Sequence, residues 1–298
     1  MKVTLISPWD NAWVPHYKSA VEKRGHDFIH WVPKKDSPAP QDQDVVIHGW
    51  ATGAGFWDEK ARHIVCLRRY ELFDGLMGFV PWERVRGLVC VNKWIKEQAE
   101  GMLKEHGQSV PTHLIYNSVD LGKWTFRERG PGTKIGMACH IHPKKNLPLA
   151  LQVIAMLPPE YSLHIAGGVQ DECTMHYIEN FAQANRRSVV IYGQLPSEQM
   201  NLWWEQMNYC LSTSLSEGNP NNVIEAMAKG IKPLVHRWPG VEDQFDRMSI
   251  FDTADWAAKM ILSKSYDSAS YRRAVEEKFS LANVDRVLDL ALEDRLAA

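Results

Sequence analysis

The sequence has no long apolar run, no paired cysteines and no large excess of charge of either sign. No stretch approaches the roughly 18 apolar residues that span a bilayer, and the N-terminus reads as a strand rather than a signal-peptide core. We therefore expect no transmembrane segment. The formal net charge is −2, which disfavours a polyanion such as nucleic acid as the main partner, although a local basic patch stays compatible with it.

Cysteine is scarce, and its spacing shows no pairs. Four of the five cysteines lie in or beside apolar strand-like runs; the five are Cys66, Cys90, Cys139, Cys173 and Cys210. This pattern favours buried, reduced thiols over disulfides or a zinc site. It predicts a cytoplasmic protein, with peripheral attachment to the inner membrane face as a variant of that location.

Several nucleotide and hydrolase motifs are also absent. No Gly-x-Gly-x-x-Gly follows a first strand, which argues against a dinucleotide-dependent dehydrogenase. A Walker loop and a catalytic Ser elbow are missing as well, which argues against a P-loop nucleotidase and a serine hydrolase.

Short apolar runs alternate with helix-length segments throughout the chain. The predicted strands are 3–7, 27–32, 44–48, 63–68, 87–91 and 113–116, then 134–139, 162–166, 188–192, 208–212 and 232–236. Alternating strands and helices predict parallel sheets that are covered on both faces. We expect an α/β protein of two doubly wound, Rossmann-like domains that face each other across a cleft.

The polar stretch 127–133 is the predicted linker between these domains. It divides the chain into an N-terminal domain, residues 1–130, and a C-terminal domain, residues 131–282. The last segment, about 283–298, reads as an amphipathic helix that packs back on the first domain.

The most informative segment runs from Ser216 to Gly230. It follows a strand-like run, and its second half reads as a helix with Asn219 as the cap, Pro220 in the first turn and Gly230 at the end. Glu217 lies in the loop before this helix and Glu225 lies inside it, eight residues later. A carboxylate among apolar helix residues needs a hydrogen-bonding partner, although an exposed position between core residues is the alternative for Glu225.

This segment resembles the signature of the retaining GT-B glycosyltransferases of the family 4, or group 1, type. The resemblance is specific over about residues 133–245 and weaker before them. It implies the GT-B fold, with acceptor binding by the first domain and nucleotide-sugar binding by the second. It implies that Glu217 contacts the transferred sugar and that Glu225 holds the nucleotide ribose, with Asn219, Asn222 and Val223 also on the donor side.

A basic segment follows the predicted strand 134–139. Lys144 and Lys145 precede a helix N-terminus, where the helix dipole disfavours cations unless an anion such as a diphosphate lies nearby. Two solvated surface lysines are the simpler alternative. In the resemblance, Lys145 matches the diphosphate-binding lysine of the family, while His140 stands in place of an arginine. Two glycine turns, Gly167-Gly168 and Gly193, match turns that line the family's base pocket.

The first half of the chain departs from the family pattern. The loop after the first strand contains no glycine, and the family's cleft-mouth histidine is replaced by Arg68, Arg69 and Glu71. We predict Arg69 and Glu71 to be catalytic with Glu217, Lys145 and His140, whereas an Arg–Glu ion pair is the structural alternative. The acceptor-side candidates are Arg68, His48 at a strand end, and the tryptophans Trp9, Trp13 and Trp50.

The resulting hypothesis is an enzyme of the hexosyltransferase kind that moves a sugar from a nucleotide-sugar donor to an acceptor hydroxyl in glycan or glycoconjugate biosynthesis. No cofactor and no metal are expected, because no Asp-x-Asp pair stands at a strand end to hold a divalent ion. Two alternatives are a bacteriophage-type enzyme that glycosylates nucleic-acid bases, which the near-neutral charge disfavours, and a non-catalytic protein that binds sugar nucleotides.

Overall fold

The computed structural model contains two α/β units, each built on a six-stranded parallel sheet. The structure describes residues 1–7, 13–34, 38–53 and 55–293. The first unit takes in residues 1–118 and 281–298, and the second takes in residues 119–280. The stretch 127–133, predicted as the linker, therefore belongs to the second unit.

The first unit has the strand order β2-β1-β3-β4-β5-β6. Its strands are β1 (Lys2–Ile6), β2 (Asp27–Trp31), β3 (Val45–His48), β4 (Arg62–Leu67), β5 (Val85–Cys90) and β6 (Thr112–Leu114). Its helices are α1 (Val14–Lys23), α2 (Tyr70–Phe73), α3 (Lys93–Glu105) and, from the end of the chain, α10 (Ala282–Leu292). In this order the connections reverse direction between β1 and β3, so the ligand crevice of such a sheet is expected beyond their carboxyl ends.

The second unit has the strand order β12-β11-β10-β7-β8-β9. Its strands are β7 (Lys134–Ala138), β8 (Ser162–Ala166), β9 (Ser188–Ile191), β10 (Tyr209–Ser212), β11 (Lys232–His236) and β12 (Ile250–Phe251). Its helices are α4 (Leu147–Met156), α5 (Glu172–Ala184), α6 (Ser197–Glu205), α7 (Asn221–Ala228), α8 (Ala254–Leu262) and α9 (Ser268–Lys278). Here the reversal point lies between β7 and β10, the first and fourth strands of the unit.

The eleven predicted strands are all present, with ends shifted by at most two residues. The strand β12 was missed because it has only two residues, too few to show an alternating or apolar pattern. The prediction of two doubly wound parallel sheets is confirmed. No helix in the described part of the chain is long and apolar enough to cross a membrane.

Helix α10 completes the hydrophobic core of the first unit. Val284, Val287, Leu288 and Ala291 recur at helical spacing and are buried against residues of β3 and β4. On its polar side, Asp285 and Asp289 form ion pairs with Arg24, which follows α1. The apolar stripe of α10 therefore joins the same core as the buried residues of α1 and of the sheet.

We expect Leu288→Ala to lower the stability of the first unit by about 2–5 kcal/mol, because it removes a fully buried side chain and leaves a cavity. Urea unfolding followed by circular dichroism measures the change. The matched control is Leu202→Ala, at a leucine whose exposed fraction is 67%. Equal unfolding midpoints for the two variants would contradict this account of α10.

Candidate active site

The candidate site of the second unit is built around the gap between β7 and β10. These strands pair only as far as Tyr209 with Ile135 and Cys210 with Gly136, whereas β7 continues to pair with β8 up to Ala138. The carboxyl ends of β7 and β10 are therefore not joined by a ladder. Helix α7 begins close to this gap, where the side-chain amide of Asn222 donates a 2.8 Å hydrogen bond to the carbonyl of Ala138.

A lysine and a glutamate from opposite sides of this gap form an ion pair. Lys145 ends a single 3₁₀ turn, Pro143–Lys145, after β7, and its Nζ lies 2.5 Å from Oε1 of Glu217 in the loop after β10. Both side chains are largely buried, which strengthens the attraction relative to a surface pair. The sequence prediction placed both residues in one site, and the structure brings them into contact.

Hydrogen bonds to the backbone carbonyls of Lys144 and Lys145 join the loop after β7 to the loop after β10. The buried hydroxyl of Thr213 donates to the carbonyl of Lys145 at 2.8 Å, and the backbone N–H of Leu215 donates to the carbonyl of Lys144 at 3.0 Å. Sequence reasoning missed Thr213, although its position directly after a buried strand is a usable signal. Lys144 contributes its backbone to this link, and His142 accepts a hydrogen bond from the Lys144 N–H.

Glu225 differs from Glu217 in having no partner. Its carboxylate lies half-buried on α7 and makes no hydrogen bond or ion pair with any residue that the structure describes. Burial raises its pKa from 4.5 to about 8, and the positive charge of Lys123 opposes this shift without cancelling it. The group is thus protonated at neutral pH in this state and is able both to donate and to accept a hydrogen bond.

Two residues assigned to the donor side make contacts within the protein. Asn219 does not cap α7: the cap position is Pro220, and the amide of Asn219 donates to Oε1 of Gln244 at 2.5 Å. Gln244 in turn donates to the carbonyl of Gly218, so this glutamine fixes the loop after Glu217. The side chain of Val223 is fully buried and its N–H bonds to the Pro220 carbonyl, which leaves it nothing to offer a ligand. No sequence signal links Gln244 to this loop.

The end of α7 agrees with prediction. Gly230 has φ of +80° and donates its N–H to the carbonyl of Met227, as expected for a glycine that terminates a helix. A side chain here would also collide with Ser268 and Arg127.

The glycine turn after β8 packs against protein backbone, whereas a Cβ on Gly193, after β9, would meet no atom within 4 Å. A Cβ on Gly167 would lie 2.0 Å from the carbonyl oxygen of Cys139, so glycine is required for the neighbouring loops to approach. The Gly167 N–H donates to the carbonyl of Gly193, and the Gly168 N–H donates to Oε1 of Gln194. Gly167 was predicted to allow a ligand to approach; the space its missing side chain provides is filled by the loop after β7.

His140 is exposed at the end of β7, next to these turns. A Cβ built on Gly168 would lie 3.6 Å from its Nδ1, so the imidazole stands over that glycine. The chain therefore places His140, Lys145, Glu217 and Glu225 on the loops and helix that follow β7 and β10. No cluster of three or more His, Cys, Asp or Glu side chains suited to a metal occurs among the described residues.

In the first unit, the guanidinium of Arg68 lies close to two of the candidate tryptophans. Its guanidinium lies 5.3 Å from the ring centre of Trp13 and 5.9 Å from that of Trp50, and its Nε donates to the carbonyl of Gly49. One face of each indole therefore lies next to a cation, and the acceptor-side role of Trp13 and Trp50 stays a prediction. Trp9, the third candidate, lies outside the described residues.

Glu71 is a buried structural anchor. Its Oε1 accepts the N–H groups of Ala51 and Arg68 at 3.2 Å, and its Oε2 accepts the Arg69 N–H at 2.9 Å. Within the described residues it forms no ion pair with either arginine side chain, so the ion-pair alternative is wrong, while its catalytic role stays a prediction. Arg69 instead places its guanidinium 5.5 Å from the ring centre of Phe73.

His48 ends β3 within a pair of buried histidines. Its Nε2 lies 3.0 Å from Nδ1 of His63, and Nε2 of His63 lies 2.8 Å from the carbonyl oxygen of Asp58. The ring of His48 stacks on Trp57 with a centroid distance of 4.0 Å. Burial lowers the pKa of His48 to about 3, with the neighbouring His63 as a smaller cause, and burial also lowers the pKa of His63.

These contacts fix the tautomers of both rings. A carbonyl oxygen only accepts, so the neutral His63 carries its proton on Nε2 and accepts at Nδ1. His48 must then donate from Nε2, which leaves its Nδ1 as a bare acceptor with no hydrogen-bond partner among the described residues. Sequence reasoning singled out His48 but not His63, whose position near the start of β4 gave no signal.

We expect His48 to remain neutral, as the Nε2–H tautomer, from pH 8 down to about pH 4, because protonation begins only near its lowered pKa of about 3. Nitrogen-15 NMR of the imidazole rings reports both charge and tautomer. In His63→Phe the partner of Nε2 is lost, and the Nε2–H tautomer of His48 is no longer enforced. A His48 ring that titrates near pH 6.5 in the wild type would contradict the assignment.

Residues 132–262 match the model of a family described as "Glycosyl transferases group 1". No curated protein matches the sequence.

Three solved structures resemble the chain over nearly its whole length. HepE from Anabaena, in complex with UDP and glucose, has 9% identity and a TM-score of 0.73, with 97% of this chain and 98% of that chain covered. Sucrose-phosphate synthase from Thermosynechococcus elongatus has 14% identity and a TM-score of 0.72, with 97% and 98% covered. The lipopolysaccharide outer core galactosyltransferase WaaB, in its apo form, has 14% identity and a TM-score of 0.67, with 97% and 99% covered.

At these identities the structures establish the fold: two Rossmann-like units of the GT-B kind. The family match covers most of the second unit, including Lys145, Glu217 and Glu225. Residues 132–262 are thus similar to the group 1 glycosyltransferases, within a chain whose fold is of the GT-B kind.

Proposed function

We propose that this protein is a retaining glycosyltransferase that moves a sugar from a nucleotide-sugar donor to an acceptor hydroxyl, in the biosynthesis of a glycan or glycoconjugate. The observation that carries the proposal is the Lys145–Glu217 ion pair at the reversal point of the second sheet, with Glu225 unpartnered on the helix that follows. The solved structure of HepE with UDP-glucose, which has the same fold, supports a uridine nucleotide as the first donor to test.

Each of the three side chains has a distinct proposed role. Lys145 neutralises charge that develops on the leaving diphosphate, and the N-terminus of α7 adds its dipole to this effect. Glu217 orients the transferred sugar through its hydroxyls. Glu225 holds the ribose, whose two hydroxyls match a carboxyl group that has no protein partner.

The Lys145–Glu217 contact suggests what the donor must do on binding. A diphosphate brings negative charge to Lys145, so it competes with Glu217 for the ammonium group. Glu217 is then released toward the sugar hydroxyls. In this proposal the ion pair keeps both groups in place before the donor arrives, and His140 adds a further hydrogen-bond donor to the phosphates when it is protonated.

We expect Lys145→Ala to reduce turnover at least about 100-fold and Lys144→Ala to reduce it far less, because only Lys145 directs its ammonium group at Glu217. The assay is transfer or hydrolysis with a panel of UDP-, GDP- and ADP-sugars. Lys144→Ala is the matched control, since it removes the same charge from the adjacent position. Equal losses would contradict the role of Lys145, and binding without turnover of any donor would favour a non-catalytic binding protein.

We further propose that transfer needs no metal ion, because Lys145 and the start of α7 supply the positive charge that a divalent ion supplies elsewhere. Activity is expected to stay within about twofold after treatment with EDTA and after addition of manganese or magnesium. The measurement uses the donor that proves active in the panel. Activity that is abolished by EDTA and restored by manganese would reject this part of the proposal.

A further inference from the structure

The helix α6 presents three polar side chains at intervals of four residues. Ser197, Asn201 and Glu205 therefore lie on one face of the helix. Each of them forms a hydrogen bond with Lys123 or Lys229. We call this set the α6 ladder.

Ser197 and Asn201 bind Lys123. The ammonium group of Lys123 donates to the hydroxyl of Ser197, and the amide of Asn201 donates to the Lys123 backbone carbonyl at 2.8 Å. Lys123 is the charge that acts on Glu225, yet it makes no ion pair with it.

Asn201 and Glu205 bind Lys229. This lysine is fully buried and directs its Nζ to Oδ1 of Asn201 at 2.5 Å and to Oε1 of Glu205. The other oxygen of Glu205 receives a hydrogen bond from Arg129 at 2.7 Å. Although burial opposes ionisation of Glu205, the hydrogen bond and charge of Lys229 and the charge of Arg129 outweigh it and lower the Glu205 pKa. Glu205 is thus held as an anion between two cations.

Lys229 is the C-cap residue of α7, the helix that carries Glu225, so the network bears on Glu225. Lys229 follows Glu225 by four residues, a spacing at which Glu and Lys pair readily along a helix. Here the pair does not form, because Asn201 and Glu205 hold the ammonium group elsewhere. Glu225 keeps the sparse surroundings described above, in which Lys123 and the Cys210 thiol of β10 are its titratable neighbours and Arg272 of α9 is bonded to the Ala228 carbonyl.

We propose that the α6 ladder is a positioning device that withholds Lys123 and Lys229 from Glu225 and so keeps this carboxyl group free for the ribose hydroxyls of the nucleotide. Glu205 is its principal residue, because it carries the charge that holds Lys229. This inference rests on the proposed function for its ligand, while the arrangement of the charges is independent of it.

The variant Glu205→Gln tests the ladder directly. It removes the anion that holds Lys229, so Lys229 pairs with Glu225 in its place. In the ligand-free protein, carbon-13 NMR of the glutamate carboxyls is expected to show the Glu225 pKa falling from about 8 by at least about 1 unit. The dissociation constant for UDP, measured by calorimetry, is expected to rise about tenfold. Glu198→Gln is the matched control, because it neutralises an exposed carboxylate on the same helix outside the ladder.

The double variant Glu205→Gln/Lys229→Met separates this effect from structural damage. It removes the competing cation as well as its partner, so both the Glu225 pKa and UDP affinity are expected to return toward wild-type values. A double variant that stays as impaired as Glu205→Gln, or a Glu205→Gln protein with an unchanged Glu225 pKa, would overturn the proposal. A wild-type protein that fails to bind UDP, GDP or ADP would reject the proposed function. The change in the Glu225 pKa in Glu205→Gln would still show whether the α6 ladder keeps Lys229 away from Glu225.

Discussion

The divergence of β7 from β10 is the constraint on which the candidate site depends. The two strands pair at Cys210 and Gly136 and no further, so the loops that follow them leave the sheet on opposite sides of a gap. Gly136 is part of the reason the strand fits: a Cβ there would lie within about 3 Å of Trp203 and Trp204, the large aromatic side chains of α6. Because parallel strands place their carboxyl ends at one edge, Lys145 and Glu217 meet there although 72 residues separate them.

The distribution of charge around this gap distinguishes its two glutamates. Glu217 is paired with Lys145, whereas Glu225 forms no ion pair with any described residue, although the charge of Lys123 acts on it. An unpaired, half-buried carboxyl group costs stability as pH rises from its unfolded pKa toward about 8, since over that range the folded state keeps a proton that the unfolded state has already released. Such a cost is characteristic of groups that are arranged for a ligand rather than for folding.

The first unit uses its buried polar groups differently. Glu71 accepts three backbone N–H groups and fastens the loop after β3 to the end of β4. Hydrogen bonds run from the Asp58 carbonyl through His63 to His48, whose Nδ1 has no hydrogen-bond partner among the described residues. The ring of His48 also stacks on Trp57. In the first case backbone N–H groups hold the buried side chain, and in the second the Asp58 carbonyl orients His63, which in turn orients His48.

The sequence by itself determined the fold class, the eleven longer strands, and the presence of Lys145 and Glu217 in one site, because apolar periodicity and motif spacing are local properties. Only the tertiary structure decided the partner of each polar side chain. Asn219 bonds to Gln244 instead of capping α7, Glu71 holds backbone instead of an arginine, and Lys229 pairs with Glu205 instead of Glu225. Each choice depends on which of several competing donors and acceptors is brought close by elements remote in the chain, and a single sequence does not encode those distances in any local pattern.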